Sequence, residues 1–72
     1  MVSDEKAKLR TLLNYWIKHN KEHSQEFREW AGKVKGSGED ETYDELLQAA
    51  REMDKASESL LQALKRIEEK EL

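Results

Sequence analysis

His19 and His23 stand four residues apart, with Glu26 three residues further on and Glu22 beside His23. On a helix, residues at i and i+4 share a face, so both imidazoles and the Glu26 carboxylate would point the same way. Two imidazole nitrogens and a carboxylate are a donor set for nickel, zinc or copper. The expected site is therefore His19, His23 and Glu26, with Glu22 as the alternative third ligand and a second subunit supplying any remainder. The spacing lacks the internal glutamate of H-E-x-x-H, so metalloprotease chemistry has no support. No set of nucleophile, base and orienting group is visible either, and the chain reads as non-enzymatic. A metal-free reading stands beside this one. Asn20, His23 and Ser57 could form a polar layer whose role is to fix helix register and oligomeric state.

These residues need a long helix to hold them. Leu9, Leu13, Trp16, Asn20, His23, Phe27, Trp30 and Val34 alternate in spacings of four and three, which is a heptad seam. Its a positions fall at 13, 20, 27 and 34 and its d positions at 9, 16, 23 and 30. In this phase Trp16, Phe27 and Trp30 are core residues. Ser3 is the expected N-cap, followed by Asp4 and Glu5 in the first turn, where carboxylates favour the helix dipole. The first helix is expected over about 4–34, with Gly32 a point where it could stop early. Gly36-Ser37-Gly38 marks a turn over about 35–41. Thr42 and Glu45 have capping-box spacing, which predicts a second helix over about 42–70. That helix repeats the seam with Tyr43, Leu46, Ala50, Met53, Ser57, Leu60, Leu64 and Ile67.

Folding one helix back on the other pairs residues whose numbers sum to about 76 or 77. Phe27 then lies against Ala50, Asn20 against Ser57 and His23 against Met53. The charge supports such a pairing. Residues 1–35 carry a net charge of +3 and residues 36–72 carry −6, which together give the chain its −3. Opposite signs favour helix association and penalise wrong pairings.

The apolar stripes are wider than one helix pair can cover. Leu12, Ile17 and Ala31 flank the first seam. Ala49, Ala56 and Ala63 flank the second on one side, with Leu47 and Leu61 on the other. The expected fold is therefore all-α: an antiparallel two-helix hairpin that pairs with a second copy into a dimeric four-helix bundle.

Composition agrees. The chain has 72 residues, 36% hydrophobic and 40% charged, with no proline and no cysteine. Its mean hydropathy is −1.04. A chain this short rarely builds a sufficient core alone and usually needs a staple. Without cysteine that staple is a second chain or a metal ion. No apolar run reaches a membrane span, and the first residues lack a signal-peptide core, so a soluble cytoplasmic protein is expected. The balance is acidic and no basic cluster is present, which argues against nucleic acid as a partner.

The segment from Leu12 to Phe27, with Trp30 and Ala31 after it, resembles a group of small uncharacterised prokaryotic helical proteins. Their motif is of the form His-Trp-Ile-x-His-Asn-x-x-His-x-x-x-Phe, followed by an acidic second helix rich in alanine and leucine. Trp16, Ile17, His19, Asn20, His23 and Phe27 match it. Tyr15 stands where the motif has its first histidine. The resemblance covers about residues 9–67 and implies nickel or cobalt handling, with His19 and His23 among the ligands.

Overall fold

The computed structural model of the protein describes residues 3–69. It is a hairpin of two helices, α1 (Ser3–Val34) and α2 (Asp40–Glu69). The molecule is a rod whose Cα atoms extend 53 × 14 × 14 Å. No helix among the described residues is long and apolar enough to cross a membrane.

The turn is built by glycine. Gly36 has φ of 79° and Gly38 of 89°, a region L side chains rarely adopt. Gly36 ends α1 as a left-handed cap. Ser37 then satisfies the Val34 carbonyl twice, through its backbone N–H at 3.2 Å and its hydroxyl at 2.6 Å. Gly32 does not end the helix, which runs on through Val34. The second helix starts two residues earlier than expected. The Tyr43 N–H donates to the Glu39 carbonyl at 2.9 Å, so Glu39 holds the cap position and Thr42 lies inside the helix. Asp40 and Glu41 occupy the first turn, where the dipole favours them. At the other end α1 already includes Ser3, and the expected end of α2 at Lys70 lies outside the described residues.

The seam of α2 is as the spacing predicts: Ala50, Ser57 and Leu64 are buried, and Tyr43, Leu46, Met53, Leu60 and Ile67 are half-buried. The seam of α1 is turned by one residue. Leu13, Asn20, Phe27 and Val34 keep their place, but the second line runs through Ile17, Ser24 and Ala31. Ser24 is 3% exposed and Ala31 1%, whereas Trp16 is 38% and Trp30 56% exposed. The physical reason is size. Small side chains at the buried positions, Ser24 and Ala31 on α1 and Ala50 and Ser57 on α2, let the backbones approach closely, and Ser24 reaches the Ala50 carbonyl itself. Two tryptophans in that seam would hold the helices apart.

Register is fixed by a polar clasp. Ser24 Oγ donates to Asp54 Oδ1 at 2.7 Å, with the Ala50 carbonyl at 3.3 Å as a weaker alternative for its one proton. Arg28 Nη2 donates to Asp54 Oδ2 at 2.7 Å, and Arg28 Nη1 bonds the Ser24 hydroxyl. Ser24 sits between Ala50 and Asp54, in keeping with the expected pairing sum. Ser57 Oγ is buried without a hydrogen-bond partner among the described residues, and Asn20 makes no side-chain hydrogen bond there. Ser24, Arg28 and Asp54 thus make a polar contact between the helices where Asn20 and Ser57 do not.

The clasp also tells the two flanks of the seam apart. Arg28 lies four residues beyond Ser24 and Asp54 four beyond Ala50, so that flank carries Lys21 and Arg28 on α1 and Leu47, Asp54 and Leu61 on α2. The opposite flank carries Trp16, His23 and Trp30 on α1 and Ala49, Ala56 and Ala63 on α2. In an antiparallel pair, like flanks face the same side.

Candidate metal centre on the aromatic face

A four-residue stagger brings a ladder of rings onto the exposed side of α1. Tyr15 stacks on His19 with centroids 5.4 Å apart. His19 meets His23 edge to face at 4.3 Å, and His23 stacks with Phe27 at 6.0 Å. Leu12, Trp16 and Trp30 are exposed along the same side. The ammonium of Lys33 lies 4.0 Å from the Trp30 ring centroid, at the rim of this face.

Within the ladder, Nε2 of His19 and Nε2 of His23 lie 2.8 Å apart. One can donate to the other only if their tautomers differ. Alternatively both lone pairs can turn to one ion. An ion about 2.1 Å from each nitrogen would see them at roughly 85°, near the right angle of a square or octahedral shell, and a tetrahedral shell would need them about 3.4 Å apart. The separation is therefore closer to that of neighbouring ligands in a square or octahedral shell than to that in a tetrahedral one.

Glu26 is placed differently from the expectation. Its Oε1 lies 3.7 Å from His23 Nδ1, the ring nitrogen turned away from His19. That is an ion-pair distance, too long for a hydrogen bond. Glu26 thus lies beside the far nitrogen of the His23 ring, not at Nε2 where an ion shared with His19 would sit. Among the described residues no three His, Cys, Asp or Glu side chains converge so as to hold a metal. One chain brings two imidazoles together and stops there.

The residues that sequence reasoning missed are Ser24, Arg28 and Asp54. The Arg28 hydrogen bond, then the Ser24 hydrogen bond, hold the Asp54 carboxyl below its ordinary 3.8, against a smaller opposing effect of desolvation. The Ser24–Arg28 spacing of four, with Asp54 at the matching register position, was the available signal. It is hidden once the seam is drawn through His23.

The fold and this face define a class: an antiparallel helical hairpin that carries an exposed aromatic and histidine stripe on its first helix. The chain belongs to a family known as a domain of unknown function, DUF8180, whose profile it matches over residues 9–67. No curated protein and no solved structure matches it.

Proposed function

We propose that this chain is a soluble, cytoplasmic, non-enzymatic hairpin that homodimerises into a four-helix bundle and binds a divalent transition metal ion, nickel or zinc, through His19 and His23. One observation carries the reading: two imidazole nitrogens face each other at 2.8 Å inside an exposed, mostly uncharged face. Dimerisation is supported by the burial pattern. Among the described residues the buried hydrophobic side chains are Leu13, Ala31, Ala50 and Leu64, and none is below 2% exposed apart from small alanines. A rod with so thin a core gains stability by covering its aromatic–alanine side with a second hairpin. Glu26 acts in this reading as the orienting partner of His23.

Titration calorimetry with nickel(II) and zinc(II) on the wild type, His23→Ala and Glu26→Gln tests it. His23→Ala should lose binding. Glu26→Gln should weaken it by roughly tenfold, the effect of an outer carboxylate rather than a ligand. Equal binding by wild type and His23→Ala would remove the site.

The metal-free alternative, a protein-interaction module, is favoured by the same 2.8 Å contact read as a hydrogen bond between neutral imidazoles. In that case circular dichroism and dimer mass are unchanged by chelator.

A further inference from the structure

We infer that the His19–His23 pair is one half of a four-imidazole site, completed by the same two residues of a second copy, so that one ion binds per two chains and its binding tightens the dimer. The inference rests on the metal reading above and adds the partner, the stoichiometry and the linkage.

Three observations lead to it. First, the ligand set is incomplete within one chain. His19 and His23 converge, Glu26 lies on the far nitrogen of His23, and no third donor group joins them among the described residues. Two imidazoles alone leave at least two positions of a four-coordinate ion open.

Second, the pair lies in the middle of the surface that a second hairpin would cover. His19 and His23 stand near the centre of α1 (Ser3–Val34), with Leu12 and Trp16 exposed on one side of them and Trp30 on the other. A two-fold axis crossing the helix between the two histidines places the second pair opposite the first. In such a contact each residue acts twice, which is how a two-ligand chain builds a four-ligand site.

Third, the face favours a second copy over a differently charged partner. Leu12, Tyr15, Trp16 and Trp30 carry no charge, and the two charged side chains that touch this face are of opposite sign, Glu26 beside His23 and Lys33 over Trp30. A surface that is uncharged at its centre meets its own copy without like-charge repulsion.

Linkage then follows. An ion that needs two chains binds the dimer and not the monomer, and so shifts association by mass action.

The test uses the full chain with nickel(II) and zinc(II) salts. Native mass spectrometry should give one ion per two chains. Sedimentation equilibrium should show the dimer dissociation constant falling at least tenfold on adding metal and returning with chelator. X-ray absorption at the bound ion should count four imidazoles. His19→Ala and, separately, His23→Gln should each abolish the effect of metal on association while circular dichroism stays helical. One ion bound to a monomer, or two imidazoles at the ion, would overturn the shared site and leave the metal reading of the hairpin standing. Absence of any nickel or zinc binding to the wild type would overturn both.

Discussion

Arg28 Nη2 lies 2.7 Å from Asp54 Oδ2, and with Ser24 the pair closes a ring that spans the two helices. The carboxyl of Asp54 is held below its ordinary value, so its contribution has a definite sign. A depressed carboxyl stabilises the fold above its unfolded value near 4, and the contribution is lost as pH falls through the lower folded value. The wild type should therefore lose stability from about pH 4 downward. Asp54→Asn should be less stable at pH 7 and lose less between pH 7 and pH 3. Thermal melts at both pH values check this; an equal loss in both proteins would mean that the clasp contributes nothing. Both side chains are 45% exposed, so added salt should shrink the difference.

Ser57 offers the opposite case. Its hydroxyl is buried and finds no partner among the described residues. Removing it deletes a desolvated polar group, and alanine is the better helix former. Ser57→Ala should raise stability by about 1 kcal/mol in urea unfolding. A loss of similar size would show that the hydroxyl is bonded in solution.

Gly32 sits inside α1 with an ordinary helical backbone, and a Cβ added there would meet nothing within 4 Å. Gly32→Ala should stabilise the protein by about 0.5–1 kcal/mol, through the entropy glycine loses on folding. The measurement is again a denaturant midpoint. A destabilised Gly32→Ala would indicate that something outside the hairpin packs against this position.

Much of the fold was legible because helix signals are local. The glycines at 36 and 38, the acidic start of α2 and the unbroken seam of α2 each depend on neighbours in sequence. The phase of α1 was not legible. Its sequence carries two apolar lines that share Leu13, Phe27 and Val34, one completed by Trp16, His23 and Trp30, the other by Ile17, Ser24 and Ala31. Hydrophobicity selects the first line, but close packing between two helices selects the second. Ranking by apolar character finds the face that is richest in rings, and here that face lies outside the hairpin's own seam. The histidine pair was legible as a spacing. The side of His23 on which Glu26 lies was not, because it depends on side-chain torsions.

Asn20 and His23 looked like one polar layer and now separate into two roles. Asn20 keeps a seam position, half-buried, without a side-chain hydrogen bond among the described residues. His23 lies on the outer flank, within the ring ladder. Leucine at 20 would fill the seam with apolar contact and remove an unpaired amide, so Asn20→Leu should raise stability by roughly 1 kcal/mol. It should leave nickel affinity within about twofold, since no ligand is touched and surface geometry is kept. His23→Leu should do the reverse: the helical hairpin persists, the metal is no longer bound, and the apolar face grows. Urea unfolding and nickel calorimetry on both variants decide the matter. If Asn20→Leu abolishes metal binding, Asn20 belongs to the site and the two residues act together after all. If His23→Leu unfolds the hairpin, His23 is a structural member of the core and its ring nitrogens lose their claim as ligands.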